Sequence, residues 1–180
     1  MASWTTPPIY ATGNILSSTS WNAIANNETF LYQRPACKYF QTASQTLTGS
    51  ATTTINLSGS GSPYFSSGGG NLFTLSSNTR IVVPLTGNYL ITGQVTASGG
   101  GGGSAGTPIL TAITQNGTRI QYTGGGGQTN AGFPQSTSTV LAQAIAGAYF
   151  EMTCYNYYTN LGSLAGQDTT FLCVNFIGSV

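Results

Sequence analysis

From residue 39 onward the chain is a succession of short runs rich in Thr, Val, Ile, Tyr and Phe, each closed within a few residues by Gly, Ser, Thr or Asn. The runs YFQTASQTLT, ATTTINLS, NLFTLS, RIVVP, NYLITGQVTA, PILTAITQ, TRIQYT, STVLAQAIA, AYFEMTCYNYY and TFLCVNFIG favour extended backbone, because branched and aromatic side chains fit a pleated, half-buried surface. About eight to ten strands, with turn signals at short intervals and no helix between them, predict an all-β fold: an antiparallel jelly-roll sandwich. Asn116-Gly117 is the strongest hairpin signal, since both residues tolerate the positive φ of a type I′ turn. In RIVVPLTGNYLITGQV, Pro84 ends a strand where no ladder N–H is needed, and Gly87 permits the turn that returns Tyr89, Ile91 and Gly93 to a sheet.

Ahead of these runs the pattern differs. In ILSSTSWNAIANNETFLYQRP, Trp21, Ile24, Ala25 and Leu31 fall on one face at helical spacing. Ser17 is placed to cap this helix, Leu16 and Trp21 occupy the two hydrophobic-staple positions, and Pro35 stops it. So short a helix is unstable alone, so its Trp21 face requires a partner: its own domain, a sister subunit or a larger body. The first sixteen residues, with Pro7, Pro8 and Gly13, read as an extended arm. The chain therefore divides into an arm and helix at 1–36 and a β domain at 37–180, long enough to bury roughly 70% of its unfolded surface.

Composition excludes several classes of function. Only seven side chains are charged (Glu28, Arg34, Lys38, Arg80, Arg119, Glu151 and Asp168), the net charge is +1 and histidine is absent. Without clustered Lys and Arg there is no field to draw nucleic acid or an anionic membrane. Ten Tyr, eight Phe and two Trp argue against disorder. No apolar run reaches the ~18 residues of a membrane-spanning helix, and MASWTTPP lacks the charged start and apolar block of a signal peptide. The sequons at Asn27, Asn56 and Asn116 mean little without a secretory route. With three acids and no histidine, no general base stands beside a Ser or Cys nucleophile, so an enzyme is not expected. Cys37, Cys154 and Cys173 are odd in number and irregularly spaced, which suits free buried thiols in a reducing cytoplasm; a Cys154–Cys173 bridge is the alternative. No cofactor or metal is expected. Gly101, Gly103 and Gly106 match G-x-G-x-x-G, but a proline and a strand follow where a phosphate cradle needs a helix. Asp168 in GQDTTF reads as a turn residue ahead of a strand.

Two resemblances add to this reading. Val83, Pro84, Gly87 and Tyr89, then Asn116 and Gly117, Ala146 and Gly147, and finally Phe171, Phe176 and Gly178 occur in the order seen in tumour-necrosis-factor-like and complement-globular-head jelly rolls. The resemblance spans roughly residues 40–180 and implies a homotrimer, packed around a threefold axis through one face of each sandwich. Ala148 stands where that family usually carries an aspartate, which puts any cation site in the loop in doubt. Trp4, Pro7, Gly13, Leu16, Ser17, Trp21, Asn22, Asn27 and Leu31 resemble the opening of small structural proteins of tailed bacteriophages. That second resemblance implies an arm that fixes the protein to a virion while the β domain faces outward.

Together these imply a non-enzymatic virion structural protein on the capsid surface, made in the host cytoplasm. The expected partners are copies of itself and the major capsid protein or another virion protein. Trp4, Leu16, Trp21, Ile24 and Leu31 are the expected docking residues, and Tyr155, Tyr157, Phe171 and Phe176 the expected trimer interface. A trimeric capsid cement or decoration protein is the first reading. The alternative is a tail or head fibre tip that binds a host surface glycan through the glycine runs SSGGGN, SGGGGGSAG and TGGGGQTNAGFP, with Tyr122 and Phe133 as stacking residues.

Overall fold

A computed structural model of the chain describes residues 17–32, 34–57, 73–98, 108–125, 133–157 and 160–179. One helix, α1 (Ser18–Tyr32), precedes twelve strands: β1 (Ala36–Gln41), β2 (Thr46–Leu47), β3 (Ala51–Thr54), β4 (Thr74–Ser76), β5 (Arg80–Val82), β6 (Gly87–Thr96), β7 (Ile109–Gln115), β8 (Thr118–Gly125), β9 (Gln135–Ala144), β10 (Tyr149–Asn156), β11 (Leu161–Gly162) and β12 (Gly166–Gly178). They form a four-stranded sheet in the order β1-β12-β6-β9, a five-stranded sheet in the order β4-β5-β10-β7-β8, and a small β11-β2 pair. Every ladder is antiparallel. This is the expected all-β jelly-roll sandwich.

The two main sheets face each other across one core, as the alternation along each strand requires. Tyr89 and Ile91 of β6 and Leu172, Val174 and Phe176 of β12 point inward from one sheet; Ile81, Ile109, Ile113, Phe150 and Met152 meet them from the other. Tyr89 sits at the centre. Its ring makes edge contacts with Phe73 and Phe176 at centroid distances of 6.3 and 5.3 Å, and a tilted contact with Phe150 at 6.1 Å. Its hydroxyl donates to the Leu85 carbonyl at 2.6 Å, tying the corner between β5 and β6 to the core.

The corner itself differs in its cause from the sequence expectation. Pro84 lies past the end of β5, outside the ladder as expected. Gly87, however, is not in the left-handed region. It is needed for space: a Cβ there would run into the Gly178 carbonyl and the Phe176 ring at the end of β12. The Asn116-Gly117 turn has the expected positive φ values, 50° and 79°. Its tip is also bound to the start of β10, where the Tyr149 N–H donates to Asn116 Oδ1 and the Asn116 N–H to the Tyr149 carbonyl, both at 3.0 Å.

Some boundaries shift. The β domain opens at Ala36, with the Phe176 N–H already donating to the Pro35 carbonyl at 2.8 Å. YFQTASQTLT breaks into β1 and β2 after a register irregularity at Phe40 and Gln41. A further two-residue strand, β11, pairs with β2, and too few residues take part to leave a period in the sequence. The break is held by neutral polar groups: buried Ser163 Oγ donates to Gln41 Oε1 at 2.6 Å and accepts from the Gln45 N–H at 2.9 Å.

Helix α1 is capped as expected, the Ser20 N–H donating to Ser17 Oγ at 3.2 Å. Its apolar face is not the covered one. Ser20 and Asn27, seven residues apart, are buried, while Trp21 is 58% and Ile24 39% exposed. The described residues of its own domain thus leave Trp21 and Ile24 uncovered.

Replacing Gly87 with Ala overpacks the end of β12 and is expected to destabilise the fold by about 2–3 kcal/mol, whereas Tyr89→Phe, losing one buried hydrogen bond, costs only about 1 kcal/mol. Urea denaturation of both variants checks the order; a neutral Gly87→Ala would show that the corner is not tightly packed.

Candidate functional site

Each main sheet turns one face to the core and the other away from it, and both outer faces carry apolar side chains. On the β1-β12-β6-β9 sheet, Leu90 of β6 stands directly opposite Leu141 of β9. Leu141 is 65% exposed. Ile177, in the bulge near the end of β12, and Ile145, just past β9, are exposed near the same end of the sheet. Phe171 lies on the same face near the other end, where the Lys38 ammonium sits 4.1 Å from its ring centroid and 3.4 Å from Asp168.

On the five-stranded sheet, β7 is buried on both sides. Ile109, Thr111 and Ile113 point into the sandwich; Leu110, Ala112 and Thr114 line the floor of a 610 Å³ groove on the outer face. Tyr155 and Tyr157 line it as well, edge to face with centroids 4.8 Å apart.

These positions break up the expected trimer interface. Phe171 and Phe176 are five residues apart on one strand, an odd number, so they point to opposite faces. Phe176 is a core residue, 3% exposed against Tyr89, and is not available to a partner. Tyr155 belongs to β10 of the opposite sheet from Phe171, and Tyr157 lies just past that strand beside it. The four residues therefore form no single surface. Among the expected docking residues, Trp21 and Ile24 are exposed on α1; Trp4, Leu16 and the side chain of Leu31 lie outside the described residues. Phe133 is exposed at the entry to β9. Tyr122 stands opposite Ala112 in the β7–β8 ladder, its side chain outside the described residues, as are most of the glycine runs. Leu90, Leu141, Ile145 and Ile177 were missed by sequence reasoning. The signal was the odd spacing of Leu141 and Ile145 from the inward residues of β9.

The ionisable groups are structurally engaged. Arg80 donates to Glu151 Oε1 at 3.1 Å and lies 4.6 Å from the Tyr149 ring, and this ion pair raises the guanidinium above its ordinary value. All three cysteines are free. Cys154 faces the core and Cys173 the outer face of the other sheet, so the alternative Cys154–Cys173 bridge does not form. Burial raises all three thiols, Cys154 to about 12. Burial likewise raises the Tyr89 hydroxyl to about 12. Thiols held protonated in this way are poor nucleophiles. Among the described residues no three His, Cys, Asp or Glu side chains are grouped to hold a metal.

No protein-family profile and no curated protein sequence matches the chain. Solved structures do. The tumour necrosis factor Eiger from S. frugiperda shares 13% identity at a TM-score of 0.55, covering 82% of this chain and 95% of its own. Murine APRIL, at pH 8.0, shares 11% identity at a TM-score of 0.58, covering 81% of this chain and 100% of its own. At such identities the likeness is one of fold alone: the β domain shares the jelly-roll sandwich of these two proteins.

Two outcomes follow. At neutral pH the native protein exposes neither Cys37 nor Cys154 to a thiol reagent, and all three cysteines react after unfolding. The folded state also holds thiol and phenol protons that the unfolded chain releases near their ordinary values of 9.0 and 10.0. Stability is therefore complete below about pH 9 and declines as pH rises toward 12, which urea midpoints across that range would record.

Proposed function

We propose that this chain is a non-enzymatic virion structural protein of a tailed bacteriophage: a homotrimeric capsid cement or decoration protein. The observation that carries the reading is the uncovered apolar surface at two separate places. One is the outer face of the β1-β12-β6-β9 sheet at Leu90, Leu141 and Ile177, with Ile145 beside it; the other is Trp21 and Ile24 on α1. Apolar side chains that a monomer leaves in water favour association, and interface centres are poor in charge. The sheet face fits a threefold contact between copies, in keeping with the jelly-roll resemblance. The helix face, continuous in sequence with the phage-like arm, fits a contact with the particle. Separating the two surfaces allows the trimer to form before it docks.

Little in either contact depends on ions. Four of the seven charges are spent in the Lys38–Asp168 and Arg80–Glu151 pairs within single subunits. Salt screens exposed charges over a Debye length of about 10 Å at 0.1 M, so neutral contacts keep their strength as ionic conditions change.

Deleting residues 1–34 is expected to leave a trimer by light scattering that no longer adds to particles stripped of the protein. Leu90→Asp with Leu141→Asp is expected to yield folded monomer, since both side chains point away from the core. A monomeric deletion product, or a double variant that stays trimeric, would reverse the assignment of the two surfaces. Copy number in purified particles tests the position: hundreds fit a cement, and a few trimers fit a fibre.

A further inference from the structure

The groove on the outer face of the five-stranded sheet has features that packing alone does not require. Its volume of 610 Å³ falls within the ~300–1,000 Å³ typical of small-molecule sites. Its floor mixes Leu110 and Ala112 with Thr114, and its sides carry Thr153, Tyr155 and Tyr157. Thr114 is the telling residue. It is 8% exposed, and its hydroxyl is the one buried side-chain polar atom without a hydrogen-bond partner among the described residues. Leaving such a group unpaired costs about 1–3 kcal/mol; the oxygen is closed to solvent as the side chain stands, and a turn of Thr114 about χ1 would present it to a ligand hydroxyl in the groove.

The backbone beside Thr114 is specialised too. The β7–β8 register slips between Ile113 and Thr114, so that Arg119, not Ile120, stands opposite Thr114. Ile120 packs against the core, and Arg119 joins the groove lining. A bulge that re-aims side chains in this way is common beside binding sites.

We infer that the groove is a saccharide-binding site, formed by Thr114 and Thr153 with the Tyr155–Tyr157 pair. The lining chemistry selects this class. A pyranose ring offers apolar C–H faces and a rim of hydroxyls that both donate and accept. Tyrosine rings and an aliphatic floor match the faces; threonine hydroxyls, also both donor and acceptor, match the rim. Among the described lining residues there is no carboxylate to attract a cationic ligand, and the one charged side chain is Arg119, a further hydrogen-bond donor for ligand hydroxyls. Tyr157 is 45% exposed, which leaves it accessible to stack on an incoming ring. The site is on the opposite side of the sandwich from Leu90 and Leu141, the residues of the trimer contact proposed above. It also differs from the glycine runs as a place for glycan contact.

The test is the full-length oligomer, fluorescently labelled, on an array of neutral and acidic oligosaccharides, followed by calorimetric titration of the best-bound glycan. Binding to a restricted set of glycans is expected. Thr114→Val keeps the side-chain shape, so the thermal midpoint should hold or rise while affinity falls at least tenfold; Tyr157→Ala should weaken binding at least as much. Absence of binding across the array, or a glycan whose affinity survives both substitutions, overturns the proposal. Oligomeric state and addition to stripped particles, measured on the same variants, should be unchanged, which separates this outcome from failure of the assembly reading.

Discussion

The sandwich hangs on the packing of Tyr89. Its ring fills the space between the sheets against Phe73, Phe150 and Phe176, and its hydroxyl reaches out of the core to the Leu85 carbonyl. One side chain thus links β6, β10, β12 and the corner after β5. The bond also satisfies a buried hydroxyl that would otherwise weaken the core it helps to form. Gly87 follows from the same arrangement. The Phe176 ring that closes on Tyr89 occupies the space beside residue 87, and only a residue without a Cβ lets β6 start there.

With so few charges, the interior is tied by neutral polar groups. Ser163 bridges Gln41 and the Gln45 backbone; Asn156 donates to the Leu47 carbonyl at 3.0 Å; Thr111 and Ser136 join the two sheets through bonds of 2.9 and 3.1 Å. Each of these groups carries both its cost and its remedy locally, since a buried hydroxyl or amide is tolerated only when paired. Thr114 breaks that rule, and it does so where the outer face opens into a groove. The same economy shapes the surfaces. Ion pairs lie within single subunits, and much of the outer faces is left to uncharged side chains such as Leu90, Leu141, Thr153 and Tyr155.

Two apolar outer faces on one sandwich have different characters. The Leu90–Leu141 face is aliphatic and open, suited to another protein surface. The Tyr155–Tyr157 face is concave, aromatic and hydroxyl-bearing, suited to a small polar ligand. Which face a residue joins depends on a single step of strand parity. Phe171 and Phe176 illustrate this: both are aromatic residues of one strand, and one lies outside while the other closes the core.

Strand content, the Asn116-Gly117 hairpin, the Ser17 cap and the jelly-roll order were legible in the sequence, because each depends on neighbours a few residues away. So was the rarity of charge and what it excludes. The two-residue strand β11, the close approach that demands Gly87, the covering of Ser20 and Asn27 in place of Trp21, and the division of Tyr155, Tyr157, Phe171 and Phe176 among two outer faces and the core were not. Each of these depends on residues far apart in the chain, such as Gly87 with Gly178 or Thr111 with Ser136, whose meeting is set by register and sheet packing. Local propensity determines that a strand forms; only the packed sandwich decides which of its two faces meets the core, because that choice is made by the partner across the interface.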